Sequence, residues 1–200
     1  MLVELVLSAL AGYLLGSLNS SLIVGKLYGV DVREHGSGNA GTTNALRTMG
    51  KKAALLVLLG DILKGVLAYI AGYYIYGGGT GGMLGGTAAV LGHVWPVYFG
   101  FRGGKGVLTS FAVLLMFDWQ LALGLLGVFA VIVLLTRYVS LGSVIAAVLF
   151  PAAAAVLGRG AGEIIFSAVI AALIVIKHYS NIGRLLNGTE SKFSFRKKQH

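Results

Sequence analysis

The sequence predicts an all-α, polytopic integral membrane helical bundle of about seven transmembrane helices, with its N-terminus outside and its C-terminus in the cytoplasm. Three observations lead there. Of the 200 residues, 56% are hydrophobic before the 31 Gly are counted, and only 12% are charged, against roughly 25% in soluble globular proteins. Mean hydropathy is +0.85, so lipid is the solvent for most of the chain. The Lys and Arg residues gather on one side of the apolar segments, as the positive-inside rule requires. A soluble domain is excluded, and residues 1–200 read as one transmembrane domain.

The first apolar segment, 2–27, lacks a basic leader and a small-residue cleavage site, so it reads as a retained helix rather than a secretory signal. Its Ser8, Gly12, Gly16 and Ser20 form a small-xxx-small stripe, the signature of close helix packing, and Gly82 with Gly86 reads the same way. Further spans are expected at 53–76, 81–99, 107–117, 121–136, 141–157 and 161–176. The fourth has about half of the roughly 20 residues a straight crossing needs. Six spans is therefore the alternative count, with this helix paired to the next through Asp118. Given an outer N-terminus, loops 29–52, 100–106 and 137–140 and the tail from 177 lie inside. They hold all of the 16 Lys and Arg except Lys26, Lys64 and Arg159, and only Arg159 falls outside. Lys177, Arg184, Lys192 and Arg196-Lys-Lys198 read as a lipid-headgroup anchor.

Composition removes several kinds of chemistry. The chain has no Cys, which excludes disulfides, thiolate nucleophiles and thiolate metal sites. No Gly-x-Ser-x-Gly elbow occurs. His35, His93, His178 and His200 are scattered, without ligand spacing, so neither a metal nor another cofactor is expected. The net charge of +9 is explained by the inner loops, so nucleic acid is not an expected partner. Within the second span, Asp61 and Lys64 are three residues apart and are expected to pair, because each alone would cost roughly 2.5–3.5 kcal/mol at mid-membrane. Two readings stay open, a structural ion pair or a polar wall beneath an active site. His93 is expected to be packed and hydrogen-bonded.

Three inner segments carry nearly every residue capable of chemistry. In His35-Gly-Ser-Gly-Asn-Ala-Gly-Thr-Thr-Asn-Ala-Leu-Arg47, glycines, hydroxyls and amides precede an Arg, a composition suited to a backbone nest for phosphate. Its match to Gly-x-Gly-x-x-Gly follows a membrane helix rather than a strand, so it is no dinucleotide fingerprint. Arg102-Gly-Gly-Lys-Gly106 offers two cations, with glycines that admit a ligand to the backbone; Gly106 stands where a P-loop has Ser or Thr, so nucleotide hydrolysis is not expected. In Lys177-His-Tyr-Ser-Asn-Ile-Gly-Arg184, His178 and Asn181 share a face if the last span continues helically.

Together, His-Gly-Ser-Gly-Asn-Ala-Gly-x-Thr-Asn at 35–44 with Arg47, Trp-Pro-Val-x-x-Gly-Phe-Arg-Gly-Gly-Lys-Gly at 95–106, and Lys-His-x-x-Asn-Ile-x-Arg-Leu-x-x-Gly-Thr-Glu at 177–190 resemble the bacterial acyl-phosphate:glycerol-3-phosphate acyltransferases, the PlsY family. The resemblance spans the whole chain. It implies a multi-pass enzyme of the cell inner membrane, working on the cytoplasmic side. The enzyme would move a fatty acyl group from acyl-phosphate to the 1-hydroxyl of glycerol 3-phosphate, giving lysophosphatidic acid and inorganic phosphate. By position it implies catalytic parts for Ser37, Arg47, Lys105, His178 and Asn181. Substrate binding falls to Gly38, Asn39, Thr42, Thr43, Asn44, Arg102, Gly103, Gly104, Gly106 and Ser143, and Glu190 is structural. The two phosphate substrates and membrane lipid are the expected partners, and the protein is expected to be a monomer. The base is His178 or an oxygen of the substrate's own phosphate, and the second is the expectation. A transporter of a phosphorylated solute or lipid is the rival class; the absence of an internal repeat and of a polar outer gate counts against it.

Overall fold

The computed structural model describes residues 1–193, and every regular element among them is helical. The cationic run Arg196-Lys-Lys198 and His200 lie outside the described residues. The chain divides into two compact units, Met1–Phe117 and Asp118–His200. Four stretches are long and apolar enough to cross a bilayer, namely Leu2–Leu27, Lys51–Phe99, Trp119–Thr136 and Val139–Val156; a bent pair, Ala161–Lys177 with Tyr179–Leu186, makes a fifth. Large apolar side chains such as Leu55, Leu59, Leu134 and Val156 stand exposed along these helices, as they do when the surrounding solvent is lipid.

The first unit contains α1 (Leu2–Ser17), α2 (Ser20–Leu27), α3 (Thr42–Thr48), α4 (Lys51–Gly72), α5 (Gly78–Val94) and α6 (Val107–Phe117). The expected single helix over 2–27 is broken at Leu18–Asn19. The Asn19 side chain accepts a hydrogen bond from the Leu22 amide at 3.2 Å and so caps α2. An Asn competes with the backbone ladder in this way whatever the hydropathy around it. The break strips the Leu18 carbonyl of its helical partner, and Lys64 of α4 donates to it at 3.3 Å; an orphaned carbonyl at this depth needs such a donor.

The predicted stripe on α1 is a packing seam. Ser8 Oγ donates to the Gly81 carbonyl at 3.4 Å, a Cβ on Gly12 would lie 2.9 Å from Gly85 Cα, and one on Gly16 would meet the Ala89 backbone. Residue numbers rise together along the two helices, so α1 and α5 run parallel in near-constant register. Ser20 meets α4 instead, where a Cβ on Gly60 would come 2.6 Å from its Oγ. Gly82 lies against Tyr69 of α4 and Gly86 against Val113 of α6. Small residues let backbones approach this closely in lipid.

The expected span 81–99 ends early. Helix α5 stops at Val94, and Trp95 turns extended (φ −125°, ψ 71°) before Pro96, whose ring disfavours the α conformation in the residue before it. Helix α6 is as short as the sequence suggests, 11 residues or roughly 16 Å.

The second unit contains α7 (Trp119–Thr136), α8 (Val139–Val156), α9 (Ala161–Lys177) and α10 (Tyr179–Leu186). Asp118 caps α7 through the Leu121 amide (3.1 Å) and pairs with Arg159 at 2.6 Å, so the start of α7 and the α8–α9 turn share one end of the unit. Straight helical continuation of the last span, the condition on which His178 and Asn181 would share a face, is not met: α9 and α10 meet at an angle of 59°, and His178 stands at the junction.

Candidate active site

The first polar segment leaves α2 and returns through α3. Its entry is fixed by Arg33, whose Nη2 lies 2.7 Å from Asp31 and whose Nη1 donates to the Phe99 carbonyl at 3.1 Å. The Arg33 guanidinium holds the Asp31 carboxyl down to about 2, with burial working in the opposite direction. Asn44 organises the rest. It is buried, accepts from the Ser37 amide at 2.9 Å, and donates to the carbonyls of Val32 (2.8 Å) and His35 (3.0 Å). Gly36 holds a left-handed φ of +62°, and a Cβ there would overlap Asn44 Oδ1, so this turn requires glycine. Ser37 and Arg47 are exposed, while Asn39, Thr42 and Thr43 are half-buried beside them.

This arrangement changes the reading of the loop as a backbone nest. The Ser37 amide is given to Asn44, that of Gly38 to the His35 carbonyl at 3.1 Å, and that of Gly41 to the Asn39 carbonyl at 3.0 Å. These amides stabilise the loop itself. An anion at this loop would have to be met by side chains rather than by these amides.

The second segment behaves alike. The Gly103 amide donates to the Val94 carbonyl at 3.2 Å and the Gly104 amide to the His93 carbonyl at 3.1 Å. A Cβ on Gly103 would lie 2.7 Å from Pro96 Cδ, and one on Gly104 would overlap His93 Nε2 and the Ala40 carbonyl oxygen. The glycines were expected to admit a ligand to the backbone; at 103 and 104 they admit the chain's own α5 and first loop. Gly106, at φ +79°, starts the turn into α6, and its carbonyl accepts the Ser110 amide at 2.8 Å. Arg102 is exposed and Lys105 half-buried. The Ala40–Gly104 and Arg33–Phe99 contacts bring the first two segments together at one end of the first unit.

In the second unit, His178 is buried and its Nδ1 lies 2.8 Å from the Ile174 carbonyl. A carbonyl only accepts, so Nδ1 carries a proton, and in the neutral ring Nε2 is then the acceptor nitrogen, a tautomer assigned from its partner. Asn181 donates to Glu190 Oε1 at 2.7 Å; Ser140 donates to the same oxygen at 2.6 Å, and Arg184 donates to Oε2 at 2.7 Å. Burial works against the Glu190 charge, but the three donors outweigh it and hold its carboxyl below the usual range. Ser143 is buried and donates to the Val139 carbonyl at 2.9 Å. The unit thus gathers Asn181, Arg184, Ser140 and Glu190 into one network, with Asn181 and Arg184 on the helix that follows His178.

Sequence reasoning missed Asn19, Ser140 and the Asp31–Arg33 pair. Asn19 leaves a trace, a polar residue inside a long apolar run. Ser140 stands in the stretch Arg137-Tyr-Val-Ser-Leu-Gly-Ser143 without a feature that ties it to Glu190, 50 residues on.

Apolar helices ending in ordered, cation-bearing polar loops define an integral membrane protein with polar and cationic groups at the ends of its helices. The chain belongs to the glycerol-3-phosphate acyltransferase family, whose model matches residues 6–188. It is 46% identical over 188 residues to the glycerol-3-phosphate acyltransferase of Thermoanaerobacter sp. (strain X514), covering 94% of each chain. It is 47% identical over 191 residues to glycerol-3-phosphate acyltransferase 2 of Bacillus cereus, covering 95% of this chain and 96% of that one. Crystal structures of PlsY, an integral membrane glycerol 3-phosphate acyltransferase, are similar throughout. The glycerol 3-phosphate form matches with a TM-score of 0.89 at 39% identity, over 95% of this chain and 96% of that one. The lysophosphatidic acid form matches with 0.86 at 38%, over 96% of both.

Proposed function

We propose that this protein transfers a fatty acyl group from acyl-phosphate to the 1-hydroxyl of glycerol 3-phosphate, releasing lysophosphatidic acid and inorganic phosphate. One observation carries the reading: segments with the family's polar residues form ordered, cation-bearing loops, in a chain similar throughout to enzymes solved with glycerol 3-phosphate and lysophosphatidic acid. Acyl-phosphate is a mixed anhydride with phosphate already in place as leaving group. The acceptor oxygen bonds to the acyl carbon, the acyl C–O bond to phosphate breaks, and the hydroxyl proton passes to an oxygen of the departing phosphate. The protein's share is then positioning and charge neutralisation.

In this scheme Arg47, Arg102 and Lys105 neutralise phosphate and Ser37 donates to it. The Gly103–Gly106 loop takes the acceptor, with Gly38, Asn39, Thr42 and Thr43 lining the first loop and Asn44 acting by holding it in shape. His178 orients the acceptor hydroxyl through Nε2, while Asn181 and Ser143 supply polar contacts. The apolar spans hold the acyl tail. The distribution of Lys and Arg supports seven spans, an outer N-terminus and a cytoplasmic site in the inner membrane. We take the monomer as the working unit.

The test is phosphate release by purified protein given palmitoyl-phosphate with and without glycerol 3-phosphate, beside Lys105→Ala. Release that depends on the acceptor, yields acylglycerol phosphate and vanishes in the variant is the expected result. A folded preparation without turnover would overturn it and favour a transporter, to be measured as flux in liposomes.

A further inference from the structure

Three ionisable side chains of the first unit, Asp61, Lys64 and His93, are almost wholly buried and take no part in the scheme above. Lys64 Nζ lies 2.8 Å from Asp61 Oδ1 as an ion pair, 2.8 Å from His93 Nδ1 and 3.3 Å from the Leu18 carbonyl. An ammonium only donates, so the contact between Lys64 Nζ and His93 Nδ1 runs from the lysine to the ring. His93 Nδ1 must therefore accept, which fixes the ring as the neutral tautomer with its proton on Nε2. The 3.6 Å from His93 Nδ1 to Asp61 Oδ1 fits this, since it exceeds a hydrogen bond. The same residue grips the second loop twice, its carbonyl accepting the Gly104 amide at 3.1 Å and its Nε2 edge filling the space a Gly104 side chain would take, beside the Ala40 oxygen; the carbonyl also accepts from the Asn19 side chain at 3.5 Å.

We propose that Asp61, Lys64 and His93 are positioning residues that set the height of the Gly103–Gly106 loop, and with it Lys105, against the first loop. Asp61 neutralises Lys64, Lys64 fixes the His93 ring, and the ring edge is the wedge against Gly104, beside the Ala40 oxygen. An ion pair in lipid is costly to keep for stability alone, because apolar residues of similar size often serve as well; its contacts here run to a loop that carries substrate. The inference rests on the acyltransferase reading for its kinetic consequence.

The test uses the full-length protein in detergent or lipid, with Asp61→Leu/Lys64→Met as a pair and His93→Asn and His93→Gln singly. Removing both charges leaves no uncompensated ion. The expected result is a KM for glycerol 3-phosphate raised by at least tenfold in the pair and in His93→Asn, with kcat and the KM for acyl-phosphate within about threefold. His93→Gln, which returns an N–H near the Nε2 position, should recover most of the loss. In parallel, the ¹⁵N spectrum of histidine-labelled parent protein should show His93 as the Nε2–H tautomer, and the paired variant should lose that preference. An acceptor KM within twofold of the parent in both the pair and His93→Asn, or a fall in kcat alone, would overturn the proposal, as would an Nδ1–H signal in the parent. If the pair does not fold, His93→Asn and the parent spectrum decide. A parent that never acylates glycerol 3-phosphate would sink the functional reading instead, and the spectrum would still judge the tautomer.

Discussion

His93 and His178 are both buried at helix ends and both engaged through Nδ1, yet their partners leave them opposite in character. Lys64 can only donate to His93, so Nε2 of that ring keeps its proton and presses on glycine backbone. The Ile174 carbonyl can only accept from His178, so in the neutral ring Nε2 is an acceptor nitrogen. One donor or one carbonyl four residues back thus decides whether the outer nitrogen of a neutral imidazole carries a proton or a lone pair.

The contrast is broken most severely at the wedge. Gly104→Ala puts a methyl group where His93 Nε2 and the Ala40 oxygen already sit. The loop must move by about an ångström, and acyl transfer is expected to fall below about one hundredth of the parent rate. On the other side, His178→Ala is expected to slow single-turnover transfer on the order of 100-fold, while His178→Gln, which accepts a hydrogen bond without being a base, should keep more than about a tenth of the rate across pH. If Gln is as slow as Ala, His178 is the base and the substrate phosphate is not.

Glu190→Gln gives a smaller effect. It weakens the charge-assisted grip on Asn181 and Arg184 and should cost about tenfold in kcat/KM. Its pH signature has a definite sign. The folded carboxyl lies below its ordinary value of 4.5, so the unfolded chain binds the proton first. The stabilisation is complete above about pH 4.5 and is lost as pH falls through the lowered value. Thermal unfolding of Glu190→Gln should lack that decline. Smallest is Asp118→Asn, a pair with Arg159 remote in sequence from either histidine, expected to lower Tm by about 2–4 °C for about 1 kcal/mol and to leave acyl transfer unchanged within twofold.

Much of this was legible in the sequence, for physical reasons that differ by residue. Ser8, Gly12 and Gly16 announce close packing because in lipid only small side chains permit it. Asp61 and Lys64 announce each other because three residues along a helix bring them together. Their third partner could not be seen, since His93 lies 29 residues away on another helix. Asn19 breaks a helix that hydropathy reads as continuous, because one amide hardly moves an average over a mostly apolar segment of 26 residues. Gly103 and Gly104 signal a close approach but not what approaches, and the approaching groups are the His93 carbonyl and Pro96 ring at 103 and the His93 ring and Ala40 oxygen at 104. Asn44 stood among the expected substrate contacts, and its polar atoms prove to be engaged with its own loop.

The seam between α1 and α5 makes chain length, more than side-chain identity, the intolerant property of the first helix. Leu5, Leu7, Leu10 and Leu14 are exposed away from it, so apolar replacements there leave the seam untouched. One residue added between Ser8 and Gly16 would turn everything beyond it by roughly 100°. The glycines would leave Gly85 and Ala89, and the Leu18 carbonyl would swing away from Lys64. An insertion remote from any substrate loop would thereby reach the histidine that supports one, which makes α1 a ruler for the chemistry at its far end.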